Sequence, residues 1–287
     1  MKKIIIFGAN GMAGHMISTV LKGKGNYKII DVCHTKKLDH NSIILDVRVI
    51  KRVNSLIEQE QPALLINCVG LLTEEAKKDP PAAIYINSFF PRYLEDYCKN
   101  TETKIIHLST DCVFSGKEGQ YTEDSVKDGK DIYGQSKSLG EIINRKDLTI
   151  RTSIIGPELK DDGVGLFHWL MKQQGEILGF SNVIWTGLTT LQLAQSLDRM
   201  IAANVTGLYQ LVPSHSVTKY QLLNIIKQIF NKDIVIKKED NPLSDKSLLN
   251  TRTDYQARIP DYQEMIVQLY QFMVQNERMY QRYLQQE

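Results

Sequence analysis

The chain offers no cysteine pairing to read. Its four cysteines, Cys33, Cys68, Cys98 and Cys112, show neither CxxC spacing nor the ligand spacing of a metal site. That excludes a disulfide framework and reads as reduced thiols in a cytoplasmic protein. Charge of one sign is equally scarce. Against 33 Asp and Glu stand 35 Lys and Arg, a formal net charge of +2, so nothing electrostatic points to nucleic acid or an anionic membrane as partner. Long hydrophobic runs are missing too: the stretches IIIFGA and ALLINCVGLL fall far short of the ~20 residues of a membrane span. Glycines interrupt the first apolar stretch too early for a signal peptide, and no cleavage site follows. Repeats, low-complexity tracts and flexible linkers are absent, which excludes a repeat array.

What is present is ordinary globular material, 42% hydrophobic and 24% charged over 287 residues, enough for one large domain with an appendage. Through the first half, short apolar runs alternate with amphipathic stretches. KKIIIFGA, YKIIDV, SIILDV, ALLINCVG, KIIHLST and LTIRTSII read as strands; GMAGHMISTVLKGKG, VIKRVNSLIEQEQ, PAAIYINSFFPRYLEDYCKN and DIYGQSKSLGEIINR read as helices. Such alternation predicts an α/β protein, a Rossmann-type doubly wound parallel sheet with helices on both faces. Asn67, Thr110 and Ser153 would then present polar groups along the ligand-binding edge. Residues 1–155 form the expected dinucleotide-binding domain. Residues 156–287 supply mainly a smaller C-terminal substrate lobe, with the chain free to cross between the two. In that half GLYQLVPSH suggests a strand, TKYQLLNIIKQIF a helix and DYQEMIVQLYQFMVQNERMYQRYL one long terminal helix.

Gly8, Gly11 and Gly14 fall directly after the first strand and open the first helix. In that context the first glycine permits a tight turn, the second lets a diphosphate approach and the third lets helix pack on strand. The helix start adds free N–H groups and a favourable dipole. The spacing is GxxGxxG rather than GxGxxG. At the end of the second strand an acid favours NAD and bases accommodate a 2′-phosphate. Asp31 argues for the first; His34, Lys36 and Lys37 argue for the second. The basic loop tilts the reading to NADP(H) and leaves NAD(H) open. Asp46, at the end of the third strand, is placed to reach an adenine amino group.

The stretch STDCVFSGKEGQYTEDSVKDGKDIYGQSK carries the chemistry. Thr110 ends a strand, and Tyr133 and Lys137 stand one turn apart on a helix capped by Asp131. A phenol has an ordinary pKa of about 10, and a cation in reach lowers it by roughly 1–3 units. On this reading Lys137 supplies the cation, Tyr133 the proton and Thr110 the hydroxyl that holds the substrate oxygen.

Together GANGMAG, INCVG, STDCVFSG and YGQSK resemble the extended short-chain dehydrogenase/reductase family, and within it the dTDP-4-dehydrorhamnose reductase group. DPPAAIYINSFFP, LTIRTSIIG, GLYQLV and LNTRTDYQ extend the resemblance over nearly the full length. It implies Thr110, Tyr133 and Lys137 as the catalytic trio, with hydride delivered to the C4 ketone of a nucleotide-linked 6-deoxyhexose. It implies cofactor contacts from Gly8, Asn10, Gly11, Met12, Gly14, His34, Lys36, Asp46, Val47, Val69, Gly70, Tyr133 and Lys137. Substrate contacts would come from Thr110, Asp111, Cys112, Val113, Trp185 and Arg252, Trp185 stacking on a base or sugar and Arg252 meeting the diphosphate. A nucleotide sugar is the expected partner, with a homodimer in view. Where some members carry a metal-bridging Glu after the third glycine, this chain has His15 and Met16, so no metal is expected. Cys112 and Ile154 replace aromatic residues of the group, which implies a wider sugar pocket suited to a 2-acetamido substituent. Family dehydratases carry Asp-Glu after the catalytic Thr; Asp111 and Cys112 favour plain reduction over epimerase or dehydratase chemistry. A non-catalytic subunit like the methionine adenosyltransferase partner is the other alternative, opposed by retention of the trio.

Overall fold

Every other residue of the first strand faces the opposite side, and both sides are apolar, so the strand is buried on two faces from the start. The computed structural model describes residues 1–284. Its first half comprises β1 (Lys2–Phe7), α1 (Met12–Gly23), β2 (Tyr27–Cys33), β3 (Ile43–Ile44), α2 (Ile50–Glu60), β4 (Leu64–Asn67), α3 (Thr73–Lys78) and α4 (Pro80–Ala83). A wide helical turn of π type over Ile84–Phe89 leads into α5 (Phe90–Cys98), then β5 (Lys104–Ser109), α6 (Ile132–Leu139), β6 (Leu148–Arg151) and β7 (Ile154–Ile155). The second half holds α7 (Leu166–Met171), β8 (Gly175–Phe180), β9 (Val183–Trp185), β10 (Leu188–Thr189), α8 (Thr190–Ala202), β11 (Gly207–Gln210), β12 (Val217–Thr218) and α9 (Lys219–Ile229). It closes with β13 (Ile234–Glu239), β14 (Ser244–Asp245), α10 (Tyr262–Gln275) and α11 (Glu277–Leu284).

Seven strands form one parallel sheet in the order β11-β6-β5-β4-β1-β2-β3. The order reverses between β1 and β4, and a crevice at the carboxyl ends is expected at such a switch point. Ile5, Phe7, Leu65 and Ile105 pack on one face against Val53 and Leu56 of α2 and Phe90 and Leu94 of α5. Ile4, Ile6, Ile66 and Ile106 pack on the other, in a cluster that takes in Met16 and Ile17 of α1 and Leu193 and Leu197 of α8. The same cluster continues into Leu222 and Ile226 of α9 and Met265 and Leu269 of α10, so the smaller lobe shares its core with one face of the sheet. Among the described residues no helix is long and apolar enough to cross a membrane.

Four local expectations change. The third strand shrinks to Ile43–Ile44 because Asp46 turns the chain, accepting from the backbone N–H of Arg48 at 2.9 Å. GLYQ does not stay with the second lobe: β11 returns to the main sheet and pairs in parallel with Leu148–Arg151. The Tyr133 helix ends at Leu139, after which Glu141 and Ile142 turn inward and are buried. The terminal helix breaks at Asn276, whose side chain donates to the Phe272 carbonyl at 2.8 Å, and the turn buries Tyr280 and Tyr283.

Candidate active site

At the β1–α1 turn Gly8 adopts φ +78°, and a Cβ on Gly14 would lie 2.1 Å from the Gly8 carbonyl oxygen. Any side chain at Gly14 would push the helix off the strand, so this glycine sets their distance. The helix start at Gly11 carries no side-chain cap and no acid in its first turn, and the first N–H groups of a helix have no partner within it. These features fit an anionic dinucleotide phosphate. The Asn10 side chain donates to the Lys36 carbonyl at 2.8 Å and ties this turn to the loop after β2.

A groove follows the carboxyl edge from there. Its cavity beside the glycine turn, about 490 Å³, is lined by Gly8, Asn10, Gly11, His34, Asp46, Val47, Val69 and Gly70. Arg48, which the sequence reading passed over, lines it too and clasps Asp46 at 2.7 Å. That bond holds the Asp46 carboxyl down at about 2. Lys36 contributes its carbonyl rather than a groove wall, and Lys37 donates to the His40 carbonyl at 3.1 Å. Asp31 lies deeper: it is buried, accepting from Lys22 Nζ at 2.5 Å and Ser18 Oγ at 2.9 Å. Both bonds fall on one oxygen, beneath α1; the other oxygen is buried without a partner, and Asp31 is not among the residues lining the cavity.

The neighbouring cavity, about 360 Å³, is lined by Met12, Thr110, Asp111, Cys112, Tyr133 and Lys137, with Ser153 and Ile154 opposite. Two local features bring β5 and α6 together here. Thr110 caps a short turn over Asp111–Val113, accepting from the Cys112 N–H at 3.1 Å and donating to Asp111 at 3.0 Å. Asp131 caps α6 by accepting from the Gly134 N–H at 2.8 Å. A Cβ on Gly134 would sit 2.1 Å from the Cys112 carbonyl oxygen, so only glycine lets the helix start close on that turn. Tyr133 is thereby set beside Thr110, both lining the same cavity.

The electrostatics depart from expectation. Burial pushes the Tyr133 phenol above its ordinary value, with the Cys112 thiol acting in the same sense and the nearby Thr110 hydroxyl opposing. Lys137 does not hold it down, because its ammonium donates to the Leu108 carbonyl at 2.5 Å and lies 3.4 Å from His107 Nε2. Burial lowers Lys137 itself to about 8, with Glu141 and Cys68 opposing. The same burial pushes the Cys112 thiol up to about 12, which leaves it protonated and unsuited to nucleophilic attack.

Beneath the trio lies a layer that sequence patterns did not show. Asn67 Nδ2 meets His107 Nδ1 at 3.2 Å, while its Oδ1 accepts from the Val69 N–H at 3.1 Å. Glu141 accepts from Arg151 at 2.6 and 2.9 Å and from Ser109 at 2.8 Å. Asn87, in the π-type turn, bridges Leu71 and Ser136 at 3.0 Å each. The asparagine in YINSFF was the available signal for that contact.

Three residues read as substrate contacts line neither cavity. Val113 is buried against Phe114, Tyr121 and Leu248. Trp185 is 4% exposed and donates to Ser153 Oγ at 2.8 Å, standing one layer behind the wall. Arg252 donates to the Thr206 and Leu208 carbonyls at 2.5 and 3.1 Å and pairs with Asp254. Its guanidinium fastens β11 instead of facing the groove.

Known proteins resemble the chain over most of its length. It is 28% identical over 234 residues, 79% of each chain, to the spore coat polysaccharide biosynthesis protein SpsK of Bacillus subtilis. It is 29% identical over 185 residues to a dTDP-4-dehydrorhamnose reductase of Aggregatibacter actinomycetemcomitans, covering 62% of this chain and 60% of that one. The crystal structure of dTDP-4-dehydrorhamnose reductase from Bacillus anthracis in complex with NADP superposes with a TM-score of 0.78 at 22% identity, covering 95% of this chain and 99% of the other. With a match that runs through both the glycine turn and the Tyr133–Lys137 helix, over residues 1–278, the chain belongs to the RmlD substrate binding domain family.

Proposed function

We propose that the chain is an NADPH-dependent reductase of a nucleotide-linked 4-keto-6-deoxyhexose, serving the synthesis of surface polysaccharide sugars. The observation that carries this reading is the convergence of Thr110, Tyr133 and Lys137 on a cavity continuous with the glycine turn. A bound nicotinamide supplies a hydride to the C4 carbon of the ketone. Tyr133 gives its phenolic proton to the C4 oxygen, and the raised pKa keeps that proton in place at neutral pH until it is needed. Thr110 holds the same oxygen toward the phenol. Lys137, ammonium below about 8 and bound to the Leu108 carbonyl before the reaction, turns on this reading toward the phenolate as the proton leaves.

Preference for NADP(H) is supported by Asp31, the one acid that argued for NAD, being engaged by Lys22 and Ser18. His34 and Arg48 instead line the cavity beside the glycine turn, the adenosine side of the groove on this reading. Cys112 and Ile154 both line the second cavity. Neither has the bulk to stack on a bare sugar ring, which favours an N-acetylated substrate.

Purified chain mixed with NADPH and a panel of dTDP- and UDP-linked 4-keto-6-deoxysugars tests the reading. Oxidation of NADPH in step with one of them is expected. Inactivity on every keto-sugar, with tight binding of a protein partner, supports the regulatory-subunit reading instead.

A further inference from the structure

The two cavities meet at a waist formed by the β1–α1 turn, Cys68–Gly70, Glu75 and Lys160. Glu75 and Lys160 are the charged side chains among the residues common to both. Lys160 comes from far along the sequence and is the one lining residue of the cavity beside the glycine turn that lies beyond Ile86.

Its loop is clamped from behind. Arg282 of α11 donates to the Leu159 and Lys160 carbonyls at 2.7 and 2.9 Å and pairs with Asp161 at 2.9 Å. The Tyr283 hydroxyl donates to the Glu158 carbonyl at 3.0 Å and accepts from its N–H at 3.1 Å. In front, a Cβ on Gly165 would meet the Met12 side chain at 2.4 Å, so the loop packs on the very start of α1. The backbone is thus held in place while the Lys160 ammonium has no hydrogen-bond or ion-pair partner among the described residues.

We propose that Lys160 is a cofactor-binding residue whose ammonium closes over the waist onto the diphosphate of the dinucleotide. This rests on the nicotinamide-dinucleotide reading above. GANGMAG brings backbone N–H groups and no cation to that point, and the Glu75 carboxylate opposes an anion there. A diphosphate at the waist needs a counter-charge, and Lys160 is the cation present. Tethering its loop to α11 makes the terminal helix part of the cofactor site.

Dissociation constants for NADPH and NADH, measured by fluorescence titration on wild type, Lys160→Ala and Lys160→Arg, test this, with apo melting temperatures alongside. Because both nucleotides carry the diphosphate, Lys160→Ala should weaken both by about fivefold, the scale of a partly exposed charge pair. The salt dependence of binding should flatten, Lys160→Arg should restore most of the affinity, and the apo melting temperature should not move. Unchanged affinity in Lys160→Ala overturns the assignment. A loss confined to NADPH overturns it as well, since the contact would then be with the 2′-phosphate. If wild type binds neither nucleotide, the reductase reading itself falls and this inference with it.

Discussion

Lys137 Nζ donates to the Leu108 carbonyl at 2.5 Å, and this bond pins α6 to the end of β5. His107, one residue earlier, places Nε2 at 3.4 Å from the same nitrogen. The other ring nitrogen faces the Asn67 amide, whose oxygen is already taken by Val69. The imidazole proton therefore sits on Nε2 and points at Lys137, an arrangement that favours the neutral amine. Burial of both groups acts in the same direction, and His107 stays uncharged, held well below its ordinary value.

The pH profile follows. Lys137 is ammonium below about 8, so turnover that depends on its charge should fall as pH rises through that value, well before the ~10.4 of an ordinary lysine. Tyr133, raised above its ordinary value, keeps its proton throughout that window. The linkage sign is fixed as well. A lysine whose folded pKa lies below its unfolded one weakens folding at low pH and regains stability between about 8 and 10.4. A rate profile that stays flat to pH 10 would contradict the lowered Lys137.

Removing the acid is the second case. Tyr133→Phe should leave NADPH affinity nearly unchanged and lower turnover at least ~10²-fold, the scale of losing a general acid. Steady-state kinetics with a competent keto-sugar, paired with cofactor titration, reads both. Wild-type turnover in the Phe variant sinks the mechanism.

Asp31→Asn separates the buried acid from cofactor choice. Asp31 is bound by Lys22 and Ser18 beneath α1, so the variant should lose about 1–3 kcal/mol of stability. The ratio of NADPH to NADH affinity should stay where it was. A shift of that ratio toward NADPH, with stability intact, would put Asp31 at the ribose after all.

Glu141→Gln tests the layer under the trio. Its pair with Arg151 is buried on both sides, 0% and 2% exposed at the side chains. Leaving Arg151 uncompensated should cost roughly 3–5 kcal/mol in denaturant unfolding. In the wild-type chain burial raises the Glu141 carboxyl, but Arg151, Lys127 and Ser109 together outweigh that and hold it below the usual range. The pair's contribution is therefore present above the ordinary carboxylate pKa and is lost as pH falls through the lowered one. A Gln variant as stable as wild type would contradict this.

The sequence was most legible where local pattern and chemistry coincide. The strand–glycine–helix run around Gly8 and Gly14 and the one-turn spacing of Tyr133 and Lys137 are short-range signals, and the structure brings both to one groove. Charge partners were not legible. Whether Asp31 meets a ribose or Lys22, and whether Arg252 meets a diphosphate or the Thr206 carbonyl, depends on chain segments brought together only by folding. Trp185 illustrates the same limit: its surroundings include Tyr262, 77 residues away, whose hydroxyl donates to its carbonyl at 3.2 Å. The return of β11 to the main sheet was hidden because a stretch of only four residues, Gly-Leu-Tyr-Gln, fits an edge strand of either layer.

The most direct test of reduction at C4 is isotopic. NADPH carrying deuterium at the transferable position of the nicotinamide is incubated with the chain and a nucleotide-linked 4-keto-6-deoxyhexose, and the product is read by NMR and mass spectrometry. Deuterium bound to the sugar C4, with one equivalent of NADP⁺ formed, is the predicted result. NADPH left unoxidised by every keto-sugar offered, or label appearing at another carbon, would contradict the reductase account.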